Sequence, residues 1–327
     1  MNRIHQVLLC VVSLGVLLLP AAAARAQSGE KFPSQPIELV GPSPAGGGTD
    51  ILFRLLAEVT EPFLGQKIVV VNKPGATGAV ATSYVARAKP DGYTLGGVYN
   101  GPLTMAPHLL DVAYSLDDYL PLLQVTSAPT VFCTRPDFPA KNGKEFIEVM
   151  RANPGKYTYG TDGVGGVSHI TGERIFRALG ARPRPVAFTG AAQTLQAMLG
   201  GHVDIFAAAS ASILPHVKVG KAKCLLTSTR ERIAVLPETT SLNELGAGDA
   251  AMVQWRGLIA PRALPAERRA FLEKVFRQGA QTEKFRHVME QRGEDVIVLG
   301  SAEFASVIRA EHQTLGAIIK EIGLGKK

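Results

Sequence analysis

A chain of 327 residues, 46% hydrophobic and 19% charged, is long for one core and fits two domains of ordinary size, with no bias toward disorder. Its formal net charge of +7 comes from Lys and Arg mixed with Glu and Asp along the whole length. No basic tract with interleaved aromatics occurs, which argues against a nucleic-acid partner; a mildly positive field would instead help gather small anions.

At the N-terminus, Arg3 and His5 precede an apolar run over 7–19, and Pro20 with four alanines follows it. A basic start, a short apolar core and a small-x-small ending at Ala24-Arg25-Ala26 predict a secretory signal peptide over residues 1–26. The run is too short to span a bilayer comfortably. Removing it takes away Arg3 and Arg25 and lowers the net charge by two. It also removes Cys10, leaving Cys133 and Cys224, each in an apolar strand-like run. A disulfide and two buried free thiols both remain open.

The mature chain opens with a strand over 36–40, the loop Pro42-Ser43-Pro44-Ala45-Gly46-Gly47-Gly48-Thr49-Asp50, and a helix over 51–59. Three glycines let backbone approach a ligand closely. Thr49 or Asp50 is expected to cap the helix, whose first N–H groups lack partners and carry partial positive charge. Such a turn can receive a carboxylate or phosphate. A β-branched strand over 68–71, read as buried on both faces, leads through 72–78 into a helix that ends at Lys89-Pro90-Asp91-Gly92. A third strand over 93–98 gives way to a loop at Tyr99-Asn100-Gly101-Pro102. Repeated β-loop-α units predict a mostly parallel sheet covered by helices, with ligands at the carboxyl ends of its strands.

A second cycle begins with short strands near 122–125 and 129–133 and a helix over 143–152. A strand at 157–159 is followed by a second Gly-rich loop, Gly160 to His169, and a helix over 170–179. This repeats the plan of residues 42–50 and suggests two α/β lobes aiming helix N-termini into one cleft. Strands are expected at 184–188, 205–208, 223–228 and 255–261, with short helices over 193–199 and 215–220. The rest is helical over 265–280, 282–291 and 301–322, around a strand at 295–298.

Ser168-His169 could be a nucleophile beside its base, but adjacent residues at a helix start point apart and no G-x-S-x-G elbow is present. A hydroxyl and an imidazole there suit ligand donation or capping. Neither loop matches Walker A or G-x-G-x-x-G, and an exported protein rarely meets NAD; no cofactor is expected. The histidines are scattered, so no metal is expected. Asp50 reads as a helix cap rather than a catalytic acid, and Trp255 as core.

Several motifs in order resemble the Bug-type extracytoplasmic solute receptors, the periplasmic substrate-binding components of tripartite tricarboxylate transporters. They are Phe32-Pro33-Ser34-Gln35-Pro36-Ile37, Pro44 to Asp50, Val71-Asn72-Lys73-Pro74-Gly75-Ala76, Pro90-Asp91-Gly92-Tyr93-Thr94-Leu95, Ala152-Asn153-Pro154-Gly155-Lys156, Leu199-Gly200-Gly201-His202-Val203-Asp204 and Leu236-Pro237-Glu238. The resemblance covers the mature chain. It implies an α/β, two-lobed periplasmic binding protein fold (type II-like, a Venus flytrap), each lobe a mostly parallel sheet flanked by helices. The expected lobes are 27–126 with 255–327, and 127–254. It further implies a periplasmic, monomeric, non-enzymatic receptor for a small organic carboxylate, with transporter membrane subunits or a sensor protein as partners. The implied ligand-binding residues are Ala45, Gly46, Gly47, Gly48, Thr49, Asp50, Tyr99 and Asn100 from the first lobe. The second lobe would add Thr161, Val164, Gly165, Ser168, His169, Phe188, Thr189, Gly190, Ala209 and Ser210. Where family members carry Ser/Asn-Gly-Thr, Tyr-Lys-Gly and Asp or Asn, this chain has Tyr99-Asn100-Gly101-Pro102, Phe188-Thr189-Gly190 and Ala208-Ala209-Ser210. Those departures point to an apolar distal pocket and a ligand with one well-held carboxylate on an apolar or aromatic body, a mono- or dicarboxylate. An exported α/β hydrolase using Ser168 and His169 is the alternative.

Overall fold

The computed structural model describes residues 32–326; the expected signal peptide and Cys10 lie outside the described residues. The described residues from Gln35 onward form one compact unit. Its elements in chain order are β1 (Ile37–Gly41), α1 (Gly48–Leu64), β2 (Ile68–Asn72), α2 (Ala79–Ala86), β3 (Thr94–Tyr99), α3 (Ala106–Leu109) and β4 (Tyr119–Thr134). Next come α4 (Gly143–Ala152), β5 (Thr158–Thr161), α5 (Val167–Ala178), β6 (Arg184–Ala187), α6 (Ala191–Leu199), β7 (Ile205–Ala209), α7 (Leu214–Lys218) and β8 (Lys223–Thr227). The chain closes with β9 (Val253–Pro261), α8 (Ala266–Ala280), α9 (Glu283–Gln291), β10 (Asp295–Gly300) and α10 (Ser301–Glu321).

The strands pair in the order β2-β1-β3-β9-β4-β7-β5-β6, with β10 and β8 also on β4. Parallel pairing is confined to two outer groups, β2-β1-β3 and β6-β5-β7. Antiparallel β9 and β4 join them, so the sheet is mixed. What the sequence divides into two short strands is one strand of 16 residues, β4. Tyr119 to Pro129 of β4 pair with β9, and Thr130 to Thr134 pair with β7. Every β4 residue except Leu120 is buried, because helices or neighbouring strands cover both of its faces. Pro129 does not break it.

Separate apolar clusters flank this crossing. Val40, Val85, Val98, Trp255, Ile259 and Phe304 belong to one; Phe132, Phe146, Tyr159, Phe176, Ile205 and Leu226 belong to another. Local chemistry places the helices. In α4, Phe146, Ile147 and Met150 are buried on one stripe, and the Asn142 side chain caps the start by accepting from the Glu145 N–H at 2.9 Å. One strand departs from its reading: β2 pairs only with β1, and Val69 is 51% exposed. A β-branched run looks the same on an edge as in the centre. Cys133 and Cys224 face each other across β4 and β8 and are joined by a disulfide, which settles the pairing that the sequence leaves open. Among the described residues no helix is long and apolar enough to cross a membrane.

Candidate functional site

Strands β1 and β3 of one group and β5, β6 and β7 of the other end in the loops that the sequence singles out. In the first loop, α1 begins at Gly48 and its N-cap is Gly47, without a side-chain cap. Thr49 and Asp50 therefore lie inside the first turn, and neither is the cap residue. Asp50, 2% exposed, instead holds the loop from within. Its carboxylate accepts from the Gly46 N–H at 2.8 Å, Arg54 Nε at 3.0 Å and Asn72 Nδ2 at 2.8 Å. Burial alone would raise the carboxyl, but these donors outweigh it and hold Asp50 below the usual Asp range. Pro44, Ala45, Gly46 and Gly48 stay exposed. The N–H groups of Gly48, Thr49 and Asp50 have no intrahelical acceptor.

Two arginines stand beside these donors. The Arg292 guanidinium lies so close to Gly48 that a Cβ there would come within 3.1 Å of Nη2. Arg256 Nε donates to Thr49 Oγ1 at 3.3 Å, and its Nη1 pairs with buried Glu294 at 2.7 Å. Glu294 also faces Arg292 Nε at 3.7 Å and accepts from Thr126 Oγ1 at 3.4 Å. One carboxylate thus serves two guanidiniums, leaving a positive excess at the N-terminal end of α1. The buried Arg292 Nε has no hydrogen-bond partner. Residues 75–78 border the same loop, since Gly78 sits against Pro42 and Pro102. There Ala76 and Thr77 hold φ values of 47° and 54°, the sparsely populated left-handed region that neighbouring packing must enforce.

Tyr99 is the last residue of β3 rather than a loop residue. Burial pushes its hydroxyl up to about 12, with Asp162 adding to the rise and Arg256 opposing it. Its ring packs against the apolar cluster of Met105, Val167, Ile170 and Met252, so elements of both strand groups meet there. Asn100 is fully buried and serves the framework. Its amide donates to Val253 O at 3.0 Å and Glu311 Oε1 at 2.6 Å, and accepts from the Trp255 N–H at 3.0 Å. Glu311 also receives the Trp255 indole N–H. Burial pushes this carboxyl up to about 7 against those donors and nearby Arg174.

The second loop satisfies itself. Helix α5 starts at Val167, so Ser168 and His169 sit in its first turn. The Ser168 hydroxyl donates to Asp162 Oδ1 at 2.5 Å and accepts from the Asp162 N–H at 3.0 Å. Burial raises Asp162, with the Ser168 donors opposing. His169 Nδ1 accepts from the Gly165 N–H at 3.0 Å, and burial holds its pKa below the usual value. Ser168 and His169 therefore have separate partners, which removes the nucleophile–base pair behind the hydrolase alternative. Thr161 is buried; its carbonyl accepts from the Phe188 N–H at 3.0 Å and Thr194 Oγ1 at 3.1 Å. Val164 is 70% exposed at the loop tip, and Gly165 packs against Leu109 of α3. Thr189 is exposed and bonded to Gln193 at the start of α6, while Gly190 borders open space. Ala209 is half-buried, and buried Ser210 donates to Gly293 O at 3.2 Å, beside Arg292.

The structure thus brings Gly48, Thr49, Tyr99 and Ser210 to Arg256 or to the Arg292-Gly293 turn. Neither arginine was singled out from the sequence. Arg256 hides in an apolar strand, and Arg292 follows a polar helix as any surface residue would; only the Arg292-Gly293-Glu294 turn before a strand hints at a role. Among the described residues no group of three or more His, Cys, Asp or Glu could hold a metal ion.

A mixed sheet with helix N-termini and paired loops at its strand ends is an arrangement that this chain shares with solved periplasmic solute-binding proteins. The sequence model for the tripartite tricarboxylate transporter family receptors matches residues 52–324. A UPF0065 protein of Bordetella pertussis is 33% identical over 309 residues, 94% of this chain and 95% of that protein. The structure of the periplasmic binding protein BugD is 29% identical with a TM-score of 0.77, covering 90% of this chain and 100% of that one. That of MatC from Rhodopseudomonas palustris, with bound malate, is 28% identical with a TM-score of 0.75, covering 88% and 100%. The chain belongs to the tripartite tricarboxylate transporter receptor family. It is a solute-binding receptor of a periplasmic family, not an enzyme.

Proposed function

We propose that this receptor captures a small organic carboxylate between two lobes, residues 27–126 with 255–327 and residues 127–254, and presents it as a monomer to a membrane transporter or a sensor. The observation that carries this reading is the exposed Gly46-Gly47-Gly48 turn with the Arg292 guanidinium against Gly48. Unpaired helix N–H groups and an arginine in positive excess suit a carboxylate better than any neutral head group. The lobe division is supported by β4, whose partners change from β9 to β7 at Pro129–Thr130.

In this reading the carboxylate takes the N–H groups of Gly48 and Thr49, with Arg292 beside them. Tyr99, Val164, Phe188 and Ala209 surround an apolar body. The malate bound to MatC supports a mono- or dicarboxylate. In this reading, the contacts from Gly165 to Leu109 and from Arg177 to Glu321, at 2.5 Å, cross between the two lobes and would help hold them in a closed arrangement. A ligand touching both lobes shifts the population toward that arrangement.

Calorimetric titration with mono-, di- and tricarboxylates tests the reading. Saturable binding of a mono- or dicarboxylate without turnover, weakened at least tenfold by Arg292→Gln, is expected. Stabilisation by citrate alone would overturn the ligand assignment, and affinity indifferent to Arg292→Gln would overturn the site.

A further inference from the structure

A concave face is lined by residues outside the candidate site. It encloses about 670 Å³ between the end of β9, α8 and the start of α10, a volume suited to a small molecule. It sits at the far pole from the loops. Arg256 pairs with Tyr99 at the loop end of β3, and the chain then runs five extended residues to Pro261, roughly 17 Å at the usual strand rise.

Four arginines reach this face from three segments: Arg262 after β9, Arg269 and Arg277 on α8, and Arg309 on α10. Arg269 and Arg277 lie two turns apart, so helical spacing puts them on one stripe. Only two carboxylates line the cavity, and both are engaged. Glu273 pairs with Arg277 at 3.4 Å, and Glu303 accepts from the Gly300 N–H at 3.1 Å at the start of α10. Among the described residues no carboxylate is bonded to Arg262, Arg269 or Arg309. Arg269 is half-buried, so part of its hydration is lost without a counter-charge in return. Arginines scattered on a convex surface keep their water. These converge on a hollow, where planar guanidinium forks can grip one group of oxygens from several sides.

We propose that this cavity is a second anion site, which takes a small oxyanion of about two negative charges. Arg262, Arg269 and Arg309 donate to its oxygens, and two charges would balance the excess of four arginines over two carboxylates. The chemistry is shared by inorganic phosphate and by short dicarboxylates, and occupancy is independent of the ligand held by the loops.

The test is calorimetric titration of the full mature chain with inorganic phosphate and, separately, with malonate, against chloride at matched ionic strength. The titrations are run in the Arg292→Gln background so that the loop site contributes little. Saturable binding of either dianion that weakens at least tenfold in Arg269→Gln/Arg309→Gln supports the proposal. The stronger of the two identifies phosphate or carboxylate as the preferred head group. The Arg269→Lys/Arg309→Lys pair keeps the charge and loses the forks, and should retain intermediate affinity. No saturable binding of either dianion, or binding unchanged in the Gln pair while its circular dichroism and melting curve match the parent, would overturn it.

Discussion

The two Gly-rich loops share a local plan of strand, glycines and helix, yet they satisfy their polar groups in opposite ways. In residues 42–50 a single carboxylate, Asp50, ties the loop from inside, and the first N–H groups of α1 are left beside two arginines. In residues 160–169 the side chains turn inward: Ser168 binds Asp162, and His169 takes the Gly165 N–H. One loop keeps its donors for something else; the other uses them to hold its own shape. A repeated motif therefore does not mean a repeated role.

The largest expected difference lies at Arg256. Arg256→Met leaves Glu294 buried beside Arg292 alone, and breaking a buried pair this way costs about 3–5 kcal/mol. Urea unfolding measures it; a loss below about 1 kcal/mol would mean that Arg292 moves in to replace the lost charge. Next comes a crossed pair. Arg292→Gln should weaken ligand binding by about 10- to 100-fold with little change in melting temperature, as expected for a charged hydrogen bond. Ser168→Ala should cost about 1–3 kcal/mol in stability by stranding Asp162 while leaving affinity within about threefold. The opposite pattern in calorimetry and melting would invert the roles assigned to the two loops.

A matched glycine substitution sharpens the contrast. Gly46 and Gly165 have φ values of 79° and 70°, so alanine at either costs roughly 1 kcal/mol of backbone strain. At Gly46 a Cβ meets nothing within 4 Å, whereas at Gly165 it comes within 2.6 Å of Leu109 Cδ1. Gly165→Ala should therefore lose about 1 kcal/mol more than Gly46→Ala, measured by denaturant midpoint at constant m.

The smallest effect is in pH dependence. The His169 pKa is lowered in the folded state, so below the unfolded value of about 6.5 the unfolded chain binds the extra proton and stability falls with acid. Asp50 is also lowered, but as a carboxylate it keeps its contribution above the unfolded value and loses it only as pH falls through the folded one, below about 4. The His169 contribution is therefore lost at a higher pH than that of Asp50. His169→Asn should remove this acid-induced loss, so that stability falls less steeply, or rises, between about pH 6.5 and 5, where buried Glu311, raised to about 7, and raised Asp162 act in the opposite sense; an unchanged slope would assign that dependence elsewhere.

Local order was legible in the sequence wherever the signal is short-range. The α4 boundaries and the strand–glycine–helix units follow from periodicity, turn residues and spacing, which neighbouring residues alone dictate, and the family resemblance rests on short strings of the same local kind. Tertiary structure decided what depends on partners distant in the chain. Only pairing shows that 119–134 is one strand crossing both groups, that β2 is an edge, and that Cys133 meets Cys224. Arg256, Arg292 and Glu294 acquire meaning only when β9 and the turn before β10 are brought to the start of α1. Hydrogen bonds choose among all donors within about 3 Å, and no local pattern records which ones folding will bring that close. The sequence by itself determined that the first loop is a glycine turn leading from a strand into the start of a helix. Folding decided that its donors stay open beside two arginines, while those of the second loop are bound within it.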